Sequence, residues 1–273
     1  MSEFEFQRFI AIGQYLPTES PVHRLDPRTR LIGALLILIA VTAAPNLLGL
    51  GVALVGIVGI TALARVPLGY ALRGLLPPLP FIIFLAVLQS LLGPAGDDMV
   101  PIFAWGPFHL SVTSLLNGAA ILLRFPALIL TITAFSAATS TTAIVRGLDA
   151  LLQPLASLGL PAQDLVLMVQ VALRFLPLLA REAERIAKSQ ASRGAEWGTG
   201  RGKLLRRVRQ ALPILIPLFL VSLQRAENLA LAMEARGYRS QGRRSSIITL
   251  RFRLADGLAL TACLLLATLV LLM

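Results

Sequence analysis

Long apolar stretches separated by short polar segments dominate the chain. Residues 31–64 contain no charged side chain, and one membrane crossing needs about 20 apolar residues. This stretch therefore predicts two helices joined by a tight turn at Pro45 and Asn46. Further spans are predicted at 75–92, 114–138 and 254–273. The pattern predicts an all-α polytopic membrane protein with about five transmembrane helices.

The segment between the fourth and fifth spans has a different pattern. Two long helices are predicted, over 162–193 and 204–236, with a glycine-rich loop between them. Their apolar runs, 166–179 and 211–223, are shorter than a membrane span. We therefore expect amphipathic helices that lie in or under one leaflet rather than crossing it.

The distribution of charge predicts the orientation. Residues 181–253 hold 16 of the 25 Lys and Arg and 5 of the 14 Asp and Glu, so this segment accounts for the whole net charge of +11. Residues 65–73 are predicted to form a short basic loop, whereas 93–111 are predicted to form a loop that contains Asp97 and Asp98 and no Lys or Arg. The positive-inside rule then puts the N-terminus in the cytoplasm of a cell inner (plasma) membrane. The predicted division is a cytoplasmic N-terminal segment at 1–30, helices one to four at 31–139, a cytoplasmic helical domain at 140–253 and helix five at 254–273.

Composition excludes a soluble protein and argues against nucleic acid as the partner. Hydrophobic residues make up 56% of the chain and charged residues only 14%, against roughly 25% charged in soluble domains. In such a chain a basic block is explained by the positive-inside rule together with an acidic partner or anionic lipid. We expect a lipid bilayer as one partner and no nucleic acid.

One pattern occurs twice, 43 positions apart. The first copy comprises Ala183, Glu184, Ala187, Arg193 and Gly194, and the second Ala226, Glu227, Ala230, Arg236 and Gly237. Arg before Gly predicts a helix that ends in a cation and a left-handed cap. Alanines four apart permit close helix crossing, and the glutamates are predicted to form helix-surface or interhelix pairs with nearby Arg. Two basic helix ends in one compartment predict docking points for a partner outside the membrane.

The sequence gives no pattern for catalysis, a metal or a cofactor. His23 and His109 lie far apart without a ligand cluster. The segment 198–203 fails as a phosphate loop, because Trp197 and Leu204 occupy the positions that need Gly and Ser or Thr. We therefore predict no catalytic residue, no metal site and no cofactor, and a protein that is not an enzyme.

Arg124 is a charge inside the predicted fourth span. Such a charge is costly and faces protein or water rather than lipid. Two interpretations stay open: a structural one, in which Arg124 extends to the membrane surface or makes a local contact that holds the helices together, and a contact with another subunit.

The residues at the start of the first helix identify a family. Leu25, Asp26, Pro27, Arg28 and Thr29 resemble the N-terminal signature of the transmembrane T component of energy-coupling factor (ECF) transporters, the CbiQ/EcfT family. That family carries two Ala-Arg-Gly tripeptides on cytoplasmic coupling helices. Here the second is intact at Ala235, Arg236 and Gly237, and the first reads Ser192, Arg193 and Gly194. The resemblance extends over essentially the whole chain.

The resemblance implies a function. A T component is a membrane scaffold whose coupling helices dock on two cytoplasmic ABC ATPase subunits, and whose membrane part holds a small substrate-binding S component for a vitamin or transition-metal ion. Arg193 and Arg236 would contact acidic ATPase residues, and Gly194 and Gly237 would allow close backbone approach. The alternatives are a self-sufficient secondary transporter, which needs a midplane site, and a membrane-embedded transferase, which needs clustered carboxylates or histidines.

Overall fold

The computed structural model describes residues 15–16, 18–92, 103–105, 108–154, 162–194, 204–238 and 251–273. These residues form α-helices, a short 3-10 helix (Val22–Arg24) and one short two-stranded antiparallel hairpin, so the predicted all-α class is confirmed with a small β addition. The elements are α1 (Pro27–Ala43), α2 (Leu47–Leu63), α3 (Leu68–Leu75), α4 (Leu79–Leu92), β1 (Phe103–Trp105), β2 (Phe108–Leu110), α5 (Val112–Ala138), α6 (Thr141–Leu152), α7 (Ala162–Ser192), α8 (Leu204–Ala235) and α9 (Leu254–Leu272).

The described residues belong to two compact units. The first, which we call the helix bundle, contains residues up to 151 together with 251–273, and so includes α1 to α6 and α9. The second contains residues 152–238, with α7 and α8. The predicted boundary at residue 139 separates membrane helices from a cytoplasmic segment. The two compact units are defined by contacts between residues, so they do not test this boundary.

The first two helices form the predicted hairpin. α1 ends at Ala43 and α2 begins at Leu47, so the turn contains Pro45 and Asn46. α1 begins where the sequence has Asp before Pro: Pro27 occupies the first turn, and Asp26 Oδ1 accepts a hydrogen bond of 2.9 Å from the Arg28 N–H. Asp suits this capping position, and Pro needs no N–H there.

The prediction for the third span needs correction. The helix expected at 75–92 begins at Leu79, and a separate helix, α3, occupies most of the segment 65–73 that was predicted as a loop. α3 and α4 meet at a bend of 55°. Pro77 and Pro78 explain the break, because proline lacks the N–H that a continuous helix needs and its ring displaces the preceding turn.

Between the third and fourth spans, the hairpin β1–β2 lies in the segment 93–111 that was predicted as a loop. The acidic residues Asp97 and Asp98 of that segment lie outside the described residues. The fourth span is confirmed as α5, which starts two residues earlier than predicted, at Val112. The Ser111 hydroxyl accepts from the Ser114 N–H at 3.1 Å and fixes that start.

Among the described residues, three helical segments are long and apolar enough to cross a membrane, and the bent α3–α4 pair would make a fourth. The three are Val112–Ala138, Ala211–Ala235 and Leu254–Leu272. Helices α1 and α2 have 17 residues each, about 26 Å of helix. The segment Ala211–Ala235 is longer than the predicted apolar run 211–223, because α8 continues unbroken past Leu223. Length alone therefore does not exclude a crossing by this helix.

Small residues let the helices of the bundle approach closely. A Cβ atom added to Gly49 would lie 2.6 Å from the Val270 carbonyl oxygen of α9. One added to Gly118 would lie 2.8 Å from the Ala86 carbonyl oxygen of α4. Ala53 and Ala127 are buried in the same core. Inside a bilayer the hydrophobic effect does not drive helices together, because lipid tails are as apolar as the side chains. Close backbone packing of this kind therefore holds the helices together.

A buried carboxylate joins the first helix to the last. Asp256 is 1% exposed. Its Oδ1 accepts from the Asp26 N–H and its Oδ2 from the Arg253 N–H, both at 2.7 Å. Asp256 thus binds the N-terminal ends of α1 and α9 at once, and its charge lies where a helix N-terminus favours an anion.

We predict that Asp256→Ala destabilises the bundle. The change removes two charge-assisted hydrogen bonds and leaves two buried N–H donors without acceptors, at a cost of about 3 kcal/mol. The melting temperature of the purified chain in detergent should fall. Glu19→Ala is the control, because Glu19 lies 3.7 Å from Arg24 and both side chains are exposed, so this ion pair contributes little. Equal melting temperatures for the two variants would refute the role of Asp256.

Candidate functional site

The first repeat copy ends α7 as predicted. The helix stops at Ser192, and Arg193 and Gly194 form the turn that follows. The Gly194 N–H donates to the Ala191 carbonyl at 3.0 Å, with Gly194 at a φ of 83°. A positive φ of this size is the left-handed region, which glycine adopts without cost. The glycine therefore closes the helix and leaves Arg193 at its C-terminal end.

The second copy ends α8 in the same way. After Ala235, the Gly237 N–H donates to the Glu234 carbonyl at 2.9 Å, and the Tyr238 N–H donates to the Met233 carbonyl at 3.0 Å. Gly237 has a φ of 75°. These two hydrogen bonds define a Schellman cap. Both predicted left-handed glycine caps are therefore present.

The two glycines are required by backbone conformation rather than by lack of space. Among the described residues, no atom lies within 4 Å of a Cβ added to Gly194 or Gly237. A side chain at either position would instead suffer the strain of the left-handed conformation, about 1–2 kcal/mol.

Both capping arginines are exposed. Among the residues that the structure describes, neither Arg193 nor Arg236 forms an ion pair. Each guanidinium lies where the helix dipole is negative, which stabilises a cation. Ser192, Ala235 and both glycines are also exposed. The two tripeptides thus offer cations that the described part of the chain does not neutralise.

Helices α7 and α8 contact each other at equivalent positions of the repeat. Arg225 Nη2 donates to Glu182 Oε2 at 3.1 Å, and both side chains are partly buried. The two residues are 43 positions apart, the period of the repeat, and each directly precedes an Ala-Glu pair. We call this ion pair the helix contact. Arg193 and Arg236 each lie 11 residues beyond it, about 16 Å of helix.

A second contact fixes the relative direction of the two helices. Tyr238 Oη, just past the end of α8, donates to Asp164 Oδ1 in the first turn of α7 at 3.2 Å. Beyond the helix contact, α8 therefore runs back toward the start of α7. The two helices are antiparallel, so Arg193 and Arg236 lie on opposite sides of the helix contact.

The other repeat residues divide between the two helices. Ala187 is fully buried and Ala183 partly buried on α7. Ala226 and Ala230 are exposed on α8, so no described residue packs closely on them and their predicted role in helix crossing stays a prediction. Arg225 faces α7 instead, and the next residue on a helix points about 100° away. The long Arg and Glu side chains therefore make the contact that the alanines were predicted to make.

The glutamates differ in the same way. Glu184 pairs with Lys188 one turn later at 2.6 Å, so its predicted ion pair exists with a lysine rather than an arginine. Glu227 is exposed. The interhelix pair predicted for the repeat glutamates is made two residues earlier, by Glu182.

The signature residues lie at the start of α1 in the helix bundle. Asp26 and Thr29 are buried, while Leu25, Pro27 and Arg28 are partly buried. Gly147 of α6 approaches this start so closely that an added Cβ would lie 2.6 Å from Leu31 and 3.2 Å from Pro27. Within this chain the signature caps α1 and joins it to α9 and α6.

Arg124 has a partner inside the chain. Its Nη2 donates to the Ala44 carbonyl oxygen, the C-cap of α1, at 2.7 Å. Ala44 is 2% exposed, so the guanidinium satisfies a carbonyl that would otherwise be buried without a donor. Of the two interpretations of Arg124, the local contact is therefore formed.

Sequence reasoning missed three residues that organise these arrangements: Glu182, Arg225 and Asp256. A signal for the first two existed, because opposite charges occupy the same position of the two repeat copies. Asp256 also had a signal, an acid in the first turn of an apolar helix. The partners of all three are distant in sequence and follow only from the fold. Among the described residues, no group of His, Cys, Asp and Glu could hold a metal ion.

Comparison with known proteins places the chain in a family. The family model CbiQ, described as a cobalt transport protein, matches residues 18–247. A protein of Heliobacterium modesticaldum is 40% identical over 84% of each chain, and one of Acidaminococcus fermentans is 38% identical over 96% of this chain and 95% of its own. One of Bacillus subtilis is 40% identical over 83% of this chain and 84% of its own. All three are named energy-coupling factor transporter transmembrane protein EcfT.

The match covers α1 to α8 and both repeat copies, and it ends before α9. The resemblance inferred from the signature and the paired tripeptides is therefore confirmed, and the chain belongs to the CbiQ family of transmembrane T components of ECF transporters.

Proposed function

We propose that this T component is a non-enzymatic scaffold that couples ATP hydrolysis by two cytoplasmic ABC ATPase subunits to uptake of a vitamin or transition-metal ion through an S component. The observation that carries the proposal is the pair of exposed arginines at glycine-capped helix ends, on opposite sides of one helix contact. Each end offers the same local structure to one ATPase.

The arrangement of the ends favours two partners over one. With 11 residues on each side of the helix contact, the two arginines can be up to about 33 Å apart. Arg193 and Arg236 have equivalent backbone settings, so two similar surfaces can bind them in the same way. Acidic grooves are the matching surface, because a guanidinium pairs with a carboxylate through two parallel hydrogen bonds.

The helix contact gives the two ends a mechanical connection. Glu182 and Arg225 hold α7 and α8 together at one level, and no proline lies between this level and either capped end. A displacement of one end by an ATPase therefore moves a rigid arm of about 16 Å. In this proposal closure of the ATPases on ATP moves the two arms, and the S component responds in the membrane.

The exposed apolar residues of the second unit support a position at the inner leaflet. Large hydrophobic side chains are exposed on both long helices: Leu165, Met168, Val169, Leu176, Leu178, Leu212, Leu215, Ile216, Phe219, Leu220 and Leu223. The later part of α8 is interrupted by Gln224, Arg225, Glu227 and Asn228. Polar residues so close together oppose a crossing of the hydrocarbon core. We therefore propose that α8 lies along the cytoplasmic leaflet and contacts lipid or the S component, with the N-terminus of the chain in the cytoplasm.

We predict that the double change Arg193→Glu with Arg236→Glu abolishes assembly with the ATPases. Loss of one charged contact at a buried interface costs about 2–5 kcal/mol, and the substituted carboxylate adds repulsion. The measurement is co-purification of the ABC ATPases of the same organism, co-expressed with the T component, together with substrate uptake. Arg181→Glu with Arg185→Glu is the matched control, since both arginines are exposed on α7 but lie before its end. Normal assembly of the double variant would show that the ends are not the docking points.

We predict from the proposed orientation that the ends of α7 and α8 face the same side. Single cysteines at Ser192 and Ala235, in a Cys263→Ser background, should react with a membrane-impermeant thiol reagent only after the membrane is opened. A cysteine at Pro45, exposed in the α1–α2 turn, should react in intact cells. Labelling of the Ala235 position in intact cells would mean that α8 crosses the membrane, which contradicts the proposal.

A further inference from the structure

The helix bundle contains a large apolar cavity. It has a volume of about 560 Å³ and lies between α1, α2, α5 and α9. Its body is lined by small and aliphatic side chains, among them Gly33, Ile37, Ile57, Ala262 and Leu266. The docking function proposed above makes no use of this space.

The length of the cavity matches one leaflet of a bilayer. Along α9 its lining runs from Ala255 to Leu266, 11 residues or about 16 Å of helix. Half of the roughly 30 Å hydrocarbon core of a bilayer is about 15 Å. The cavity therefore has the length that acyl chains of a single leaflet occupy.

One end of the cavity is polar. Thr29 and Thr139 line it and are 3% and 2% exposed. Neither side-chain oxygen has a hydrogen-bond partner among the described residues, and the same holds for Nε of Arg30, which also lines this end. Arg30 is anchored by its Nη1, which donates to the Ala138 carbonyl at 2.6 Å.

The position of the two threonines explains their missing partners. A threonine inside a helix donates to the carbonyl four residues earlier, as Thr131 does to Ala127 at 2.7 Å in the same cavity. Thr29 lies in the first turn of α1 and Thr139 just past the end of α5. Thr29 has no helical carbonyl four residues earlier, and the extended backbone of Thr139, with φ −129° and ψ 117°, takes it out of the helical geometry that allows this bond. Both hydroxyls can therefore donate to an external group.

The Thr29 and Thr139 hydroxyls and Arg30 Nε need a hydrogen-bond acceptor. A buried polar atom without a partner costs about 1–3 kcal/mol, and all three atoms can donate a hydrogen bond. The nearby carboxylates already accept from backbone N–H groups: Asp26 from Arg28, and Asp256 from Asp26 and Arg253. A phosphate has several acceptor oxygens and a charge that suits Arg30.

We propose that this cavity binds a membrane phospholipid, with an acyl chain in the apolar body and its phosphate at Thr29, Arg30 and Thr139. The polar end favours a phospholipid over an apolar protein segment, because the three unpartnered donors need acceptor oxygens that a phosphate supplies. The bound lipid fills the space between the first, second, fourth and fifth predicted spans and completes the hydrogen bonds at its polar end.

The test uses the full chain reconstituted in phosphatidylcholine vesicles that contain a phosphatidylglycerol with a photoreactive diazirine in its acyl chain. After illumination, mass spectrometry locates the attached lipid on proteolytic fragments. The expected sites are cavity residues such as Gly33, Ala259 and Ala262. Attachment only to the outward faces, such as Leu35 and Ile39, which are exposed, would overturn the proposal. The same result is expected from a cavity that holds only water.

The polar end is tested by a shape-preserving double change, Thr29→Val with Thr139→Val. Attachment inside the cavity should fall about tenfold, because two hydrogen bonds to a charged phosphate are lost. Thr131→Val is the matched control: its hydroxyl is already bonded to Ala127, so cavity attachment should not change. Equal attachment in the double variant and the control would overturn the assignment of the phosphate.

A second variant tests the apolar body independently. Ala259→Leu places a larger side chain in the cavity, and it should lower attachment there while leaving attachment at Leu35 and Ile39 unchanged. The melting temperature of each variant in detergent checks that it folds. Removal of two unpartnered buried hydroxyls should leave the melting temperature of the Thr29→Val, Thr139→Val variant unchanged or raised in lipid-free detergent. Cavity attachment undiminished by Ala259→Leu would contradict the proposed position of the acyl chain.

Discussion

The helix bundle depends on one buried charge. The Asp256 carboxylate accepts from the Asp26 and Arg253 N–H groups, and so fastens the start of α9 to the start of α1, 230 residues earlier in the chain. A carboxylate that is 1% exposed is stable only with such partners. Elsewhere in the bundle, glycines let α2 pack closely on α9 and α5 on α4. The signature residue Asp26 has a structural role, because it both caps α1 and donates to Asp256.

The second unit follows a different principle, duplication of one helix end. Two helices carry the same capped arginine, and an ion pair between equivalent repeat positions holds them antiparallel. Duplication on antiparallel helices produces two similar capped ends on opposite sides of the helix contact. In the proposed function these ends are the docking points for two related ATPases.

Much of this could be predicted from the sequence, and the exceptions have physical reasons. The α1–α2 hairpin, the span at α5, both glycine caps and the family followed from local patterns: apolar length, Pro-Asn, and Arg-Gly at a helix end. The break before α4 was missed because the segment 65–73 was predicted as a loop. A short helix, α3, forms there instead, and the prolines that follow separate it from α4. The pairs Glu182–Arg225 and Asp256–Asp26 could not be assigned, because a charge shows where a partner is needed but not which distant residue supplies it. The same limit applied to Arg124, whose partner is a backbone carbonyl and has no sequence signal.

The central claim is that Arg193 and Arg236 each contact a separate ATPase. The most direct measurement keeps both arginines and replaces their exposed neighbours Ser192 and Ala235 by a photoreactive amino acid, in a T component co-expressed with its ATPases, and analyses the illuminated complex under denaturing conditions. The account predicts a product in which one T chain is attached to two ATPase subunits, and products with one ATPase from each single replacement. A double replacement that never captures more than one ATPase, or single replacements that capture none, would contradict it.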